Sequence, residues 1–235
     1  MPHTVDHKAI LARVGHSKHF VEQIDPRRTA HLVVDMQNGF MAPGAPVEVA
    51  RARGVVEEIN RISGALREAG GLNVFIQYTT PGPNDPSWSN FAARLGPGAD
   101  AHRDAFEPGA HHWQLWPGLD VRDGDLAVEK KRFSAFVQGS SELHDILQDR
   151  GIDTVIVSGT MTNCCCESTA RDAMQLNYKV IMACDACAAL TDEAHAGTLD
   201  SMALIFADLG SVAELEDMLA NAGASPRVAE SAAAG

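Results

Sequence analysis

Short runs of apolar and β-branched residues alternate along this chain with segments that have the periodicity of amphipathic helices. Runs of the first kind predict strands, which we place at residues 29–35, 71–78, 125–129, 154–157 and 179–183. Segments of the second kind predict helices, at residues 47–69, 141–150, 165–176 and 192–206. Such alternation is typical of a parallel sheet with helices on both faces, and 235 residues fit one α/β domain.

Chemically distinctive residues follow three of the predicted strands. Right-handed crossovers bring the carboxyl ends of parallel strands to one edge of the sheet, where a crevice opens. Taken singly, an Asp there can be a turn cap, a lysine can be solvated and a thiol can be an inert core residue. Together, a carboxylate, an ammonium and a thiol indicate a nucleophile with its base and a stabilising charge. The candidates are Asp35, Lys130 or Lys131, and the run Cys164-Cys165-Cys166.

The helix after the cysteine run indicates which thiol faces the crevice. Cys166, Ala170, Ala173 and Met174 form an apolar stripe at helical spacing, so we expect them to face the sheet and Cys165 to face the crevice. A helix N-terminus is expected to stabilise a thiolate through its unpaired amide groups and its dipole. The chain holds five cysteines, three of them consecutive, which predicts free thiols rather than disulfides.

Acidic residues outnumber basic ones, 31 Asp and Glu against 19 Lys and Arg, which gives a formal net charge of −12. Such a surface repels phosphates and anionic headgroups, so neither nucleic acid nor a membrane is expected as a partner. The N-terminal residues lack the apolar core of a signal peptide, and no later run reaches about 18 uninterrupted apolar residues. We therefore expect a cytoplasmic protein.

Three segments resemble the motif blocks of the isochorismatase-like cysteine hydrolases, in the order of that family. They are HLVVDMQNGF (residues 31–40), EKKRFSAF (129–136) and GTMTNCCCESTARDA (159–173). The resemblance implies a three-layer α/β/α, Rossmann-like fold, with a doubly wound, mostly parallel six-stranded sheet in the order 3-2-1-4-5-6. We divide the chain into an N-terminal extension (1–28), an isochorismatase-like hydrolase domain (29–221) and a flexible tail of small and polar residues (222–235).

The same resemblance implies roles for individual residues. Asp35 would be the catalytic acid and base, and Cys165 the nucleophile. The family's lysine lies four residues before the serine of the SAF segment, which makes it Lys130 here. A cis peptide bond between Thr160 and Met161 would let the amides of Met161 and Cys165 form an oxyanion hole.

Several residues in or near loops at the active edge are candidates for binding a partly apolar substrate, although each alone is as compatible with packing. They are Gln37, Phe40, Tyr78, Trp88, Trp113, Trp116 and Phe136. Residues 81–118, rich in Pro, Gly, Trp and His, form an insertion of the length typical of a lid or a binding loop.

Two further patterns suggest metal or redox chemistry, but the sequence favours a plainer interpretation of each. Cys184 and Cys187 have CxxC spacing without a second pair, which indicates packed thiols. No GxGxxG fingerprint follows the first strand, so we expect no cofactor. One polar set matches the metal site of nicotinamidases only in part, because it lies too far after the second strand, and solvated loop residues are expected: Asp100, His102, His111 and His112.

Taken together, the residues and the resemblance predict a cysteine-dependent hydrolase of a C–N bond in a small amide, ureido or lactam substrate, acting through a thioester acyl-enzyme. Two alternatives stay open. One is an isochorismatase-type vinyl ether hydrolase, which relies on the aspartate and does not require the thiol. The other is a catalytically idle binding protein on the same fold. Family members are commonly dimers or tetramers, so a homo-oligomer is expected.

Overall fold

The structure, a computed structural model, describes residues 3, 5–15, 21–82 and 86–222. Within these residues six strands form one sheet: β1 (Thr29–Val34), β2 (Leu72–Tyr78), β3 (Leu126–Lys130), β4 (Thr154–Thr160), β5 (Lys179–Ala188) and β6 (Asp208–Gly210). Their order is β3-β2-β1-β4-β5-β6, and every neighbouring pair is parallel. The predicted fold class and strand order are therefore confirmed.

Helices cover both faces of the sheet and also form a small separate layer after β2. They are α1 (His7–Arg13), α2 (Asn38–Met41), α3 (Val56–Glu68), α4 (Ser89–Leu95), α5 (Ala99–Ala105), α6 (Leu143–Asp149), α7 (Glu167–Gln175), α8 (Asp192–Ile205) and α9 (Val212–Ala222). Buried residues of α3 and α9 pack on one face, and those of α1, α6, α7 and α8 pack on the other. Each described helix is too short or too polar to cross a bilayer.

Helix α3 illustrates how the apolar pattern becomes core. Ile59, Ile62 and Leu66 are completely buried against the sheet, and each contributes about 1.5–3 kcal/mol of hydrophobic stabilisation. Helix α3 ends at Glu68, one residue before the predicted end. Beyond it, Gly70 takes a φ of +85°, and the Gly71 N–H donates to the Leu66 carbonyl at 2.8 Å. The crossover from β1 to β2 is thereby fixed.

Strand β1 lies in the middle of the sheet and is buried along its whole length. Its Leu32 and Val34 pack with one helix layer and Val33 with the other, as expected for a central strand of a parallel sheet. At its carboxyl end β4 approaches closely, because Gly159 has a φ of +111° and an added Cβ would lie 2.2 Å from the Val34 carbonyl oxygen. Only glycine fits there, and the close approach brings the ends of β1 and β4 together.

The sequence pattern missed some elements and misplaced the ends of others. Strands β4 and β5 extend beyond their predicted ends, and β3 includes Lys130. The predicted helix at 165–176 begins instead as a π-helical turn (Thr162–Cys166), followed by α7. The sequence assigned no range to β6 or α9, and β6 has only three residues. Short elements of this kind carry too few residues for a readable period.

The described part of the predicted N-terminal extension docks on the body of the protein. Ile10 of α1 is 3% exposed within the core, and His7 Nε2 lies 2.7 Å from a carboxylate oxygen of Glu214 in α9. The insertion at 81–118 contains α4 and α5. Of the predicted tail at 222–235, only Ala222 is described, as the last residue of α9; the remainder lies outside the described residues.

Candidate active site

Asp35 follows the last residue of β1 and is completely buried at the carboxyl edge of the sheet. Its backbone has a φ of +54°, in the left-handed region that Asp tolerates better than most residues. Its N–H donates to the carbonyl of Ile76 in β2, at 2.9 Å. The end of the strand therefore holds this carboxylate on a backbone of fixed direction.

Lys130 ends β3, two strands away from β1, and is also completely buried. Its Nζ lies 2.8 Å from Asp35 Oδ2 and donates to the Arg132 carbonyl at 3.0 Å. The same Nζ lies over the ring of Tyr78, 5.1 Å from its centroid. Lys131, in contrast, is exposed. The lysine that contacts the acid is thus the one that the motif indicates.

The three consecutive cysteines lie in the π-helical turn between β4 and α7, and all five cysteines of the chain are free. Cys166 is completely buried, with its Sγ 3.8 Å from the Ser158 carbonyl oxygen, as predicted for a core thiol. Cys165 is 6% exposed, and its thiol acts on the pKa of both Asp35 and Lys130. The carboxylate, the ammonium and this thiol therefore meet at one edge of the sheet.

The apolar stripe predicted on α7 is right for three of its four residues. Cys166, Ala170 and Ala173 are completely buried, but Met174 is 38% exposed. The prediction for Met174 is wrong because that residue lies roughly 80° around the helix from Cys166, near the end of α7, where the sheet no longer covers it.

The pKa values of Asp35 and Lys130 depend on burial and also on the charge that each residue places beside the other. Burial raises the pKa of Asp35 above its ordinary value, and the charge of Lys130 only partly opposes this effect. Burial lowers the pKa of Lys130, but the charge of Asp35, the nearby Cys165 and the hydrogen bonds to both together outweigh burial, so the net shift is upward. Lys130 therefore keeps its charge. Asp35 becomes a stronger base than an exposed carboxylate, which suits a group that must accept a proton.

The thiol of Cys165 is held in its protonated form. Its hydrogen bond with Cys164 raises its pKa well above the ordinary value, burial and the charge of Asp35 raise it further, and Lys130 opposes the shift. The shift runs against the expectation of a stabilised thiolate, because the hydrogen bond with Cys164, burial and the adjacent carboxylate all favour the protonated thiol of Cys165. A thiol of this kind needs a base to become a nucleophile, and Asp35 lies beside it.

The turn between β4 and Cys165 has a partner that the sequence analysis missed. The Thr160–Met161 bond is cis, as the resemblance implies. Next to it, Thr162 Oγ1 lies 2.8 Å from Nδ1 of His195, a completely buried residue of α8. Burial lowers the pKa of His195 to about 4, so the ring is neutral. The Asp-Glu-Ala-His start of α8 holds no motif that would have revealed this contact.

Of the predicted substrate-binding residues, Phe40, Tyr78 and Trp88 belong to one aromatic cluster beside the acid and the lysine. Phe40 lies with its ring centroid 6.4 Å from that of Tyr78, and Trp88 lies at the same distance on another side. Trp88 also stacks on Phe91 at 4.3 Å and meets Phe133 edge to face at 4.9 Å. The sequence analysis did not single out Phe91 and Phe133, although Phe91 lies one helical turn after Trp88 and Phe133 is within the EKKRFSAF segment.

The other predicted pocket residues make structural contacts, and their assignment as substrate contacts stays a prediction. Gln37 is completely buried, and its side-chain amide donates to the carbonyls of Tyr78 and Trp113 at 3.0 and 2.7 Å. The Trp113 indole donates to Thr79 Oγ1 at 2.9 Å, so this ring supports the end of β2. Phe136 packs on Tyr178 at 5.5 Å in the layer of α6, away from the crevice.

The remaining predictions concern metal and redox sites. Asp100 pairs with Arg103 at 2.6 Å, and His102 packs on Tyr78 and Phe106, so these side chains already have other partners. The rings of the adjacent His111 and His112 lie 5.4 Å apart. Cys184 and Cys187 are free, buried thiols of β5, each near a main-chain carbonyl oxygen at 3.6 Å, which confirms the interpretation as packed residues. Trp116 packs against the core on the side of α3.

The fold and the strand-end cluster define an α/β protein with a buried acid, lysine and cysteine at one crevice. Comparison with known proteins agrees with this class. Residues 29–214 match the model of the isochorismatase domain. The chain belongs to the isochorismatase family of hydrolases, and the resemblance stated above is thereby confirmed.

Individual relatives span most of the chain. Ureidoacrylate amidohydrolase RutB of Pseudomonas savastanoi pv. phaseolicola is 32% identical over 189 residues, which cover 74% of this chain and 76% of the relative. Among solved structures, a cysteine hydrolase from Pseudomonas syringae pv. phaseolicola superposes with a TM-score of 0.79 at 28% identity, over 88% and 99% of the two chains. An N-carbamoylsarcosine amidase from Thermoplasma acidophilum has a TM-score of 0.65 at 25% identity, over 79% and 96%.

Proposed function

We propose that this hydrolase is a cysteine-dependent amidohydrolase, which cleaves a C–N bond of a small amide, ureido or lactam substrate with Asp35, Lys130 and Cys165 as catalytic residues. The observation that carries the proposal is the buried pair in which Lys130 Nζ lies 2.8 Å from Asp35 Oδ2, with the Cys165 thiol beside both. Buried charges are costly, and they concentrate where chemistry requires them.

In the first half-reaction Asp35 accepts the thiol proton, and the Cys165 sulfur attacks the carbonyl carbon of the substrate. Lys130 keeps its positive charge and stabilises the negative charges that move through the site. The amides of Met161 and Cys165 are the proposed donors to the tetrahedral oxyanion. When the C–N bond breaks, Asp35 gives its proton to the departing nitrogen, and a thioester to Cys165 remains.

In the second half-reaction water takes the place of the amine. Asp35, again a carboxylate, accepts a proton from this water, whose oxygen attacks the thioester carbon. The C–S bond then breaks, the acid product leaves, and the proton held by Asp35 returns to the sulfur. One carboxylate thus serves both half-reactions, which its raised pKa favours.

The relatives support the class of substrate. One is named for the hydrolysis of ureidoacrylate and another for that of N-carbamoylsarcosine, and both names describe C–N bonds of ureido or carbamoyl groups. On the protein side, we propose Tyr78 and Trp88 as substrate contacts, with Phe40 behind Tyr78.

The test is ammonia release from a panel of amides, combined with alkylation by iodoacetamide and mass spectrometry of the thioester. Cys165→Ala and Cys165→Ser are expected to abolish ammonia release and the thioester. Cys164→Ala and Cys166→Ala remove neighbouring thiols and serve as matched controls that keep both. Ammonia release that persists in the Cys165 variants contradicts the assignment of the nucleophile.

Two other functions are separated by the same assays. Vinyl ether hydrolysis of the isochorismatase type needs the aspartate but not the thiol, so it would survive Cys165→Ala and would fail with Asp35→Asn. A binding protein without activity would neither release ammonia from the amides nor form the thioester. A buried thiol beside a carboxylate and an ammonium favours the amidohydrolase over both.

The resemblance also supports two proposals about the protein in the cell. We propose that it is a dimer or tetramer and that it is cytoplasmic. Size-exclusion chromatography with light scattering decides the first, because one chain has a mass of 25.1 kDa. Fractionation of the source cells decides the second.

A further inference from the structure

A cavity of about 130 Å³ lies beside the catalytic edge, between the end of β2 and the two helices α4 and α5. Its apolar lining comes from Tyr78, Trp88, Phe91, Ala92 and Leu95, together with the ring of His102. The rings of Trp88 and Phe91 stack at 4.3 Å, and that of His102 lies 5.5 Å from both Phe91 and Tyr78. Four rings therefore form one side of the cavity, and Thr80, Ser89, Asp100 and Arg103 are among its polar lining residues.

Tyr78 is the wall that this cavity shares with the catalytic residues. Its ring lines the cavity and also carries the Lys130 ammonium, with Nζ 5.1 Å from the ring centroid. Burial raises the pKa of its hydroxyl, and the nearby Cys165 and Asp35 raise it further. The lining does not include Asp35, Lys130 or Cys165, and Tyr78 is the residue through which the cavity adjoins them.

The charged groups around the cavity already have partners. Arg103 and Asp100 are the charged residues of its lining; they pair at 2.6 Å, and Arg103 also contacts Asp104 at 2.9 Å. Burial lowers the pKa of His102, so this ring is neutral near pH 7. A carboxylate placed here would lose its water, and the cation among the described lining residues, Arg103, is already paired with Asp100 and Asp104.

Arg132 is the other cation near the aromatic cluster, and it bonds the segment that precedes α4. Its guanidinium lies over Trp88 at 5.1 Å and donates to the carbonyl and hydroxyl oxygens of Ser87 at 3.1 and 2.9 Å. It also donates to the Lys131 carbonyl at 2.7 Å. This residue fastens the segment before α4 to the end of β3, and a substrate carboxylate would have to compete with these contacts.

The size of the cavity fits a small ring. An apolar cavity of about 150 Å³ in another protein stays dry and binds benzene, and the volume here is close to that. We propose that the preferred substrate is an amide whose acyl group is uncharged, apolar and about the size of one ring, and that this group occupies the cavity. This inference rests on the proposed amidohydrolase function and separates the chain from relatives named for the anionic ureidoacrylate.

The first test compares amides that differ only in the acyl group. Benzamide and cyclopentanecarboxamide are expected to have kcat/KM values at least about tenfold above those of acetamide, maleamate and ureidoacrylate, as apolar pockets discriminate by such factors. Equal or higher values for the two anionic compounds overturn the inference and leave the proposed function intact. If none of the compounds is hydrolysed, the proposed function itself fails.

The second test changes one wall of the cavity. Phe91→Ala is expected to lower the ratio of kcat/KM for benzamide to kcat/KM for acetamide about tenfold, because acetamide is too small to reach the ring. Phe206→Ala is the matched control, since Phe206 is a half-buried aromatic residue that packs under Arg171 at 4.1 Å, outside the cavity lining. An equal loss with both amides in Phe91→Ala contradicts the inference.

A charge-reversing variant gives a result that a general loss of stability cannot produce. Phe91→Arg adds a cation to the cavity wall, so the preference between benzamide and maleamate is expected to shift toward maleamate by at least about tenfold. An unchanged ratio of the two kcat/KM values shows that the acyl group lies elsewhere and overturns the inference.

Discussion

Two buried polar residues of β1 and its end, His31 and Asp35, lie four positions apart and have opposite surroundings. Both are completely buried. His31 lies between two hydroxyl groups, Ser63 Oγ at 3.1 Å and Ser158 Oγ at 2.7 Å, and burial lowers its pKa to about 3. Asp35 lies against the charge of Lys130 and the thiol of Cys165, and burial raises its pKa.

The difference shows how one sheet handles polar groups for structure and for chemistry. In the middle of the sheet, the ring is neutral and each of its nitrogens has a partner, so it can be buried at little cost. At the carboxyl edge, the groups remain charged or reactive, and they stay so because each compensates another. The first arrangement stabilises the fold, whereas the second costs stability, as expected of groups kept for the proposed reaction.

Removing the lysine should have the largest effect on this contrast. Lys130→Met keeps a long side chain but leaves Asp35 without its countercharge, so the free energy of unfolding is expected to fall by about 3–5 kcal/mol. We expect kcat/KM to fall about 100- to 1000-fold as well. Urea denaturation and ammonia release measure the two losses.

The control for this variant is next to it in the sequence. Lys131 is exposed, so Lys131→Met should change the free energy of unfolding by less than about 0.5 kcal/mol and leave kcat/KM unchanged. Equal behaviour of the two variants would contradict the role given to Lys130.

Lowering the pH should reduce the stability that the neutral, buried His31 ring contributes, because protonation favours the unfolded chain. The folded pKa of His31, about 3, lies below its unfolded value of 6.5, so the unfolded chain binds the proton first. The stability contributed by the neutral ring is complete above pH 6.5 and is lost as the pH falls toward 3. Between pH 7 and pH 5 the loss is about 2 kcal/mol for this residue, and buried His195 adds to it.

Denaturation midpoints measured at pH 7, 6 and 5 check this prediction. His31→Asn removes the titrating ring and should flatten the pH dependence, even though the variant is less stable at pH 7. A pH dependence between pH 7 and pH 5 that is as steep in His31→Asn as in the wild type would refute the neutral state of the ring.

The smallest effect is expected from Ser158, one of the two serines whose hydroxyl groups contact the neutral His31 ring. Ser158→Ala takes the closer partner from His31 and should cost about 1–2 kcal/mol of stability. We expect kcat/KM to change by no more than about twofold, because this contact lies inside the sheet. A loss of activity as large as that of Lys130→Met would show that the two regions are coupled.

The sequence predicted the parts of this protein that periodicity governs. Apolar runs located β1 and β2 within a residue or two, and Gly70 marked the end of α3. Because parallel strands share a carboxyl edge, the meeting of Asp35 and Lys130 could be inferred without coordinates. Choosing Lys130 over Lys131 required the family motif.

Other features depend on tertiary contacts that no local pattern carries. The sequence could not reveal that Gln37 bonds main-chain groups, that Phe136 packs on Tyr178, or that Thr162 meets His195 from a helix later in the chain. The pKa of Cys165 is raised by its hydrogen bond with Cys164, by burial and by the charge of Asp35, which are contacts of the folded chain. These contacts and this pKa shift depend on which residues are brought together in the folded protein, and residues far apart in the sequence give no local signal of it.

The order of the strands has a consequence for how the enzyme loses activity. Asp35 and Lys130 stand on strands with one other strand between them, a gap of roughly 10 Å, twice the usual separation of neighbours. Only a long side chain such as that of Lys130 spans this distance, and Lys130 belongs to β3, the edge strand of the sheet. Local unfolding of β3 would separate Asp35 from Lys130 while the other strands stayed folded. Activity should therefore be lost before the protein unfolds.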